Sequence, residues 1–412
     1  MREIISSLDI GSTKIKLVVA EIIDNRLNVL CAIDEESRGV KKGSIVEPAE
    51  TEYAIKKILK RAEEVLGIKV TKTIVSVAED NAAFKIGEAT VTITSEDQEI
   101  QPSDVVRALQ ASVKDKVDKN MELVTVIPIM FKVDEQKTRM PARMQGSKLS
   151  VKSVVVSVPK KDVYLAAKTL EKCGVEVIDI MIPSIGSAYA HKNETTDTLT
   201  GIVIDVGGET TKVAVFNKGI IINNLVIPYG GKQVDNDIAF IYKLNEEQSI
   251  KIKENFALAN KKNASTKENE YLINSLGENI SINQYEVSEV VMSRLHEMLN
   301  VAKNEINYLT KKEISYIIIT GGLTEIKDFS LEVESVFGKS AQVGKINIVG
   351  VRDNKYASAI GMIRYYDSKL KLREKDYSIF NQDELDILSG NSGKKNSGDS
   401  VFGKVFGIFF DN

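Results

Sequence analysis

Two cysteines, Cys31 and Cys173, and two histidines, His191 and His296, are all that 412 residues contain of either type. At no point do they fall at the spacing of a zinc site or a disulfide framework, which excludes both and fits a reducing, cytoplasmic compartment. A basic excess is also missing. Lys and Arg total 55 against 58 Asp and Glu, so the chain lacks the positive stripe that duplex nucleic acid demands, and nucleic acid is not an expected partner. No apolar run approaches the roughly twenty residues that a spanning helix needs. The amino terminus enters a strand pattern at once, with neither the basic region nor the long apolar stretch of a secretory signal. Any membrane contact is therefore expected to be peripheral.

What the chain does contain is a repeat. Residues 5–20 (ISSLDIGSTKIKLVVA) and 201–216 (GIVIDVGGETTKVAVF) share one pattern: an apolar strand, an Asp, a glycine turn, a polar pair and a second apolar strand. Asp9 and Asp205 would sit at hairpin tips, and Gly11, Gly207 and Gly208 present no Cβ to block a phosphate chain. One such hairpin is weak evidence, because Asp and Gly occupy ordinary turns for conformational reasons alone. Its recurrence at the start of two apparent halves points to a two-lobed clamp for phosphate and a divalent metal.

The texture of the chain divides accordingly. Residues 1–80 alternate strands and helices, with the clearest helix at 49–66, and 154–198 resume that alternation, so the first lobe is expected to be discontinuous. Between them, 81–153 read as an inserted small α+β module. The second lobe is assigned to 199–230 and 310–370, interrupted by a largely helical stretch at 231–309. Residues 371–400 are assigned to a flexible linker, on the Ser/Gly/Asn content of 389–400 (SGNSGKKNSGDS).

Beyond the linker, residues 401–410 (VFGKVFGIFF) are apolar again. Drawn as a helix, Phe402, Val405, Phe406 and Phe409 share one face, with Phe410 beside them and Gly403, Lys404, Gly407 and Asp411 opposite. Docking onto the chain's own core or a partner's groove is one use for such a face. A tether followed by a Phe-rich helix reads better as an interfacial membrane anchor, weak singly and firm only through avidity.

Three further pieces complete a nucleotide site. Thr320-Gly321-Gly322 ends a buried strand pattern at 315–320, where glycines would admit an adenosine. Small-residue runs at 184–190 (SIGSAYA) and 357–361 (ASAIG) would permit close helix crossing between lobes. Hairpin, small-residue helix, hairpin, Thr-Gly-Gly strand and small-residue helix follow one another in the order of the actin-like ATPase superfamily. More narrowly, LDIGSTK at 8–14, residues 126–128 with PARMQG at 141–146, IPYGGKQVDNDIA at 227–239 and the tethered tail resemble the FtsA family of bacterial division proteins over nearly the whole chain.

That resemblance implies an α/β, actin-like (ribonuclease H-like) two-lobed fold with an inserted small α+β subdomain, here 81–153. It implies ATP and Mg2+ between the lobes, with weak or no ATPase activity. It further implies self-assembly into filaments, binding of the FtsZ C-terminal tail on the helical subdomain, contacts with other division proteins, and attachment by the tail to the cytoplasmic face of the membrane at the division septum. Residue by residue, Asp9 and Asp205 would act through water on the metal and on the attacking water. Gly11, Ser12, Thr13 and Lys14 would meet phosphate, as would Gly207, Gly208, Thr210 and Thr211 on the second hairpin. Gly321 and Gly322 would take the adenosine, and Glu247, Gln248 and Lys251 the ribose and base. Glu209 stands where the family commonly has a third glycine, and a carboxylate beside a polyphosphate is unfavourable without an intervening cation. Lys212 stands where an acidic residue often follows the threonines. A small-molecule kinase on the same fold and a soluble PilM-like scaffold are the competing readings; neither gives the Phe-rich tail a role.

Overall fold

The computed structural model describes residues 3–381 together with 384, 385 and 388. The Phe-rich segment and its residues Phe402, Val405, Phe406, Phe409 and Phe410 lie outside the described residues. The first lobe opens with β1 (Glu3–Ile10), β2 (Lys14–Ile23) and β3 (Arg26–Glu36), followed by the short pair β4 (Val40–Lys41) and β5 (Ser44–Ile45), α1 (Pro48–Leu66) and β6 (Lys72–Ser76). Next come β7 (Ala83–Thr92), α2 (Pro102–Val113), β8 (Met121–Val133), β9 (Gln136–Thr138) and β10 (Lys148–Pro159), then α3 (Lys160–Lys172), β11 (Glu176–Met181), α4 (Pro183–Ala190) and α5 (Glu194–Thr198). The second lobe holds β12 (Thr200–Val206), β13 (Thr211–Asn217), β14 (Ile220–Ile227), α6 (Gly231–Tyr242), α7 (Glu246–Lys251), β15 (Asn269–Ile273), β16 (Asn279–Asn283), α8 (Gln284–Leu309), β17 (Tyr316–Thr320), α9 (Phe329–Phe337), β18 (Ala341–Val343) and α10 (Ala357–Leu372).

The repeat in the sequence becomes a repeat in topology. The first sheet runs β3-β2-β1-β6-β11 and the second β14-β13-β12-β17-β18, each with an antiparallel meander on one side and parallel strands on the other. Both meanders close on two-residue turns with positive φ, Asp24-Asn25 and Lys218-Gly219, whose twist matches the flanking strands. Strands at the centre of each sheet read as unbroken apolar runs, because helices or other elements cover both faces: every residue of β17 (YIIIT) is buried.

Alternation along β12 divides two cores. Ile202, Ile204 and Val206 face α6, α8 and α9, whereas Val203 joins the core that holds the first sheet. The insert is a four-stranded sheet, β7-β10-β8-β9, with α2 against it over a separate core that includes Val105, Leu109, Phe131 and Leu149.

Helices α4 and α10 cross between the two large sheets, α10 lying against β1 and α4 against β12. Here the sequence-based boundaries need correcting. The sequence pattern assigns 310–370 to the second lobe, yet α10 packs on β1, β2 and β6 of the first sheet, with Ala359, Ile360, Met362, Ile363 and Tyr366 in the core beneath it. Part of the expected linker is also folded. Ile379, Phe380 and Leu385 are buried in the same core, and the Ile379 N–H donates to the Ile4 carbonyl at 2.8 Å. Apolar residues scattered singly in 371–388 were outweighed in the sequence by the polar composition that follows. The helical stretch at 231–309 likewise contains a β-hairpin, β15–β16.

Candidate functional site

The two hairpin tips face each other across a cleft between the lobes that encloses about 700 Å³, part of it open to solvent. Asp9, Gly11, Ser12 and Thr13 line it from the first hairpin, and Asp205, Gly207, Gly208 and Thr210 from the second. Gly321 and Gly322 close it from the end of β17. Gly321 adopts φ +100°, and a Cβ there would lie 2.4 Å from an Asp205 carboxylate oxygen, so only glycine fits beside this Asp. The hairpins are already in contact: a Cβ on Gly208 would lie 2.2 Å from the Thr13 side chain.

Antiparallel register explains the charge pattern. Asp9 is paired with Lys16 across the β1–β2 hairpin, and Asp205 with Lys212 across β12–β13. Lys16 Nζ lies 3.1 Å from Asp9 Oδ2, and Lys212 Nζ 4.0 Å from Asp205 Oδ2. The Ser76 hydroxyl donates to Asp9 Oδ1 at 2.9 Å and that of Ser187 to Asp205 Oδ2 at 3.0 Å. Burial works against ionisation of Asp9, but Lys16 and Lys212 outweigh it and hold the carboxyl below its usual range. Burial also disfavours the Lys212 ammonium, yet Asp205, Glu79 and Asp9 together raise its pKa above the ordinary value.

Several residues expected at the site lie elsewhere. Lys14 is half exposed, with its Nζ 3.3 Å from Asp34 Oδ2; Lys16, two residues on, is the lysine beside Asp9. Thr211 is buried and donates to the Tyr229 carbonyl at 2.8 Å, because alternation along β13 turns it away from the side that carries Lys212. Glu247, Gln248 and Lys251 are not among the cleft residues. Gln248 caps α7 and donates to the Ile273 carbonyl at 2.7 Å, while Lys251 pairs with Glu247 on an exposed face. The buried lysine of that stretch is Lys253, paired with Asp235 at 2.7 Å.

Glu209 does not point freely into the cleft. Its Oε2 accepts from the Lys42 N–H at 3.0 Å, and Lys232 Nζ lies 3.8 Å from Oε1. The Gly43 N–H donates to Ser12 Oγ at 2.8 Å, so the β4–β5 turn bridges both hairpins.

The sequence reading missed Lys16, Glu79, Lys42, Asn354, Lys355 and Ser358 among the lining residues. A signal for Lys16 is present in the sequence: each repeat carries a Lys seven residues after its Asp, Lys16 in the first and Lys212 in the second. Glu79 follows the carboxyl end of β6, parallel to β1, the place where open α/β sheets gather ligands. The other four, Lys42, Asn354, Lys355 and Ser358, come from segments with no local mark. The histidines are satisfied. His191 shares a 3.0 Å hydrogen bond with Thr320, and burial lowers its pKa to about 4; His296 Nδ1 lies 3.3 Å from Glu332.

Two duplicated sheets clasping a glycine-lined cleft define an actin-like ATPase fold. The chain superposes on a solved PilM–PilN type IV pilus biogenesis complex with TM-score 0.58 at 14% identity, covering 88% of this chain and 98% of that one. It superposes on MreB5 of Spiroplasma citri bound to ADP with TM-score 0.56 at 12% identity, covering 90% and 98%. Residues 202–361 match the family described as Cell division protein FtsA, and 82–157 match the SHS2 domain inserted in FTSA. Cell division protein FtsA of Bacillus subtilis is 28% identical over 88% of this chain and 83% of its own length, and that of Escherichia coli 24% identical over 88% and 90%. This chain belongs to the FtsA family of bacterial cell division proteins.

Proposed function

We propose that this chain binds ATP with Mg2+ in the interlobe cleft, assembles with its own copies into filaments, and tethers FtsZ filaments to the cytoplasmic face of the membrane at the division site. The observation that carries the reading is the mirrored pair of Asp-and-glycine hairpins facing each other beside Gly321 and Gly322. The cleft suits the ligand: glycines leave room for a polyphosphate, and Lys16, Lys212, Lys42 and Lys355 offset its charge. Asp9 and Asp205 would hold Mg2+ through water, as hard oxygen donors do. Bound, the ion would supply charge neutralisation at the phosphates.

An FtsZ tail would find an apolar surface at 231–309. Phe240 is 85% exposed, and Ile241, Tyr271, Ile273 and Leu276 are exposed as well. The end of α6 and the β15–β16 turn are joined there by the Ser275 N–H donating to the Lys243 carbonyl at 2.9 Å. Such patches on otherwise polar surfaces serve partners. Among the described residues no helix is long and apolar enough to cross a membrane, and attachment is assigned to residues 401–410.

Co-sedimentation with anionic liposomes, with and without Mg-ATP, tests the whole scheme. The full chain is expected to pellet with ATP and form ordered filaments on the lipid, whereas a truncation after Gly398 stays in the supernatant yet binds nucleotide equally. Equal lipid recovery of both forms would sink the anchor assignment.

Glu209 offers a second test. One uncompensated negative charge lining a partly screened cleft costs a bound polyphosphate on the order of 1.4 kcal/mol, about tenfold in affinity. The E209G variant is expected to bind a fluorescent ATP analogue about tenfold more tightly in a titration. Unchanged affinity would mean that Lys232 and the Lys42 N–H already neutralise the carboxylate.

A further inference from the structure

Glu79 is a cleft-lining carboxylate to which the paired hairpins give no role. It stands in the loop after β6, only 2% exposed. That loop is pinned from both lobes: the Val77 N–H donates to the Met181 carbonyl at 3.0 Å, and Asn224 Nδ2 donates to the Glu79 carbonyl at 3.3 Å. The carboxylate itself is aimed by α4. Its Oε1 accepts from the Ser184 hydroxyl at 2.9 Å and its Oε2 from the Ser184 N–H at 3.2 Å. Lys212 and Asp205 of the second hairpin act on its charge, and Lys212 in turn is held by Asp205, Glu79 and Asp9.

From this placement we propose that Glu79 is the general base of a slow nucleoside triphosphate hydrolysis in the cleft, an inference that rests on reading the cleft as the nucleotide site. The carboxylate takes a proton from a water whose oxygen attacks the terminal phosphorus. A new P–O bond forms as the bond from that phosphorus to the bridging oxygen breaks. The electron pair leaves with the diphosphate, and the proton passes from Glu79 to solvent. A base held by two donors on a rigid helix end has the fixed position that such a transfer requires. Burial, opposed by Lys212 and the Ser184 hydrogen bonds, raises the Glu79 pKa to about 7, where a carboxylate is both ionised and basic enough to take the proton.

Glu79 also caps α4, and the variant must separate the two roles. E79Q keeps one acceptor oxygen for the Ser184 N–H and turns the other hydrogen bond round, its amide donating to the Ser184 hydroxyl, while the base is lost. With the full chain and Mg-ATP, E79Q is expected to keep its fold and to bind a fluorescent ATP analogue at least as tightly as the wild type at pH 8. Single-turnover phosphate release should slow by about 10²-fold or more, the ordinary worth of a general base. Nucleotide recovered from E79Q should remain triphosphate. In the wild type, affinity for the analogue should weaken several-fold as pH rises through 7, because ionised Glu79 faces a polyphosphate; in E79Q that dependence should vanish. Hydrolysis by E79Q at the wild-type rate with binding intact would overturn the proposal and leave the nucleotide site standing, as would a wild type that binds but never hydrolyses. Absence of binding by either protein would overturn the nucleotide reading itself, and this inference with it.

Discussion

Gly361→Ala is expected to cost the protein at least about 3 kcal/mol of stability, although alanine is the better helix former by about 1 kcal/mol. The cause lies in the crossing of α4 and α10. A Cβ on Gly361 would stand 1.6 Å from the Gly186 carbonyl oxygen and 2.7 Å from the Ala190 nitrogen, and one on Gly186 would stand 2.4 Å from the Ser358 carbonyl oxygen. These are backbone atoms, so no rotamer change relieves the overlap; the helices must part. Parting them loosens Ile185, Ile360 and Ile363, all fully buried, and with them the junction of the two sheets. Gly322→Ala is the control, because its Cβ would meet nothing closer than Lys355 at 3.6 Å. Urea titration followed by circular dichroism is expected to show a much lower midpoint for G361A and little change for G322A. A G361A midpoint within about 1 kcal/mol of the wild type would mean that the crossing gives way at small cost.

The second large effect is electrostatic, in the protein without nucleotide. The Glu79 carboxyl has its pKa raised by burial from 4.5 to about 7, so the folded chain holds a proton there that the unfolded chain has already released. Where the folded state binds more protons, stability falls as pH rises. The window runs from about 4.5 to about 7; below it both states are protonated, and above it both are ionised and the full cost is present. Two and a half units correspond to about 3 kcal/mol. Lys212, Asp205 and Asp9 stand nearby and are retained in both proteins under comparison. The stability of E79Q relative to the wild type is therefore expected to improve by about 3 kcal/mol between pH 4.5 and pH 7 and to level off beyond. Denaturant titrations at half-unit steps check this. A constant difference across the range would show that Lys212 and Ser184 keep Glu79 ionised throughout.

Much of the fold was legible because it rests on local pattern. Apolar runs ended by Asp-x-Gly announced two strand-turn-strand units, and their repetition announced two lobes. The small residues at 184–190 and 357–361 announced a close crossing, which requires only that no Cβ intervene. Less was legible where a residue's role depends on which strand lies opposite. Lys14 and Lys16 are near-equivalent as letters, but register sets Lys16 against Asp9, while Lys14, opposite Glu36 at the strand end, reaches diagonally to Asp34. Along α7 and the residues after it, Lys251 and Lys253 differ by two positions, and the helical turn alone sends one to solvent and the other to Asp235.

By itself, then, the sequence determined the fold class, the two hairpins and the family, since each is carried by contiguous segments whose periodicity and glycine placement survive without any partner. Tertiary structure alone decided the rest of the cleft: Glu79 aimed by Ser184, Glu209 held by the Lys42 N–H, and Asn354, Lys355 and Ser358 brought to the same opening. It also decided that α10 and the side chains of Ile379, Phe380 and Leu385 pack with the first lobe. Those placements depend on contacts between residues separated by a hundred positions or more, for which charge and burial set the energy and chain order carries no trace.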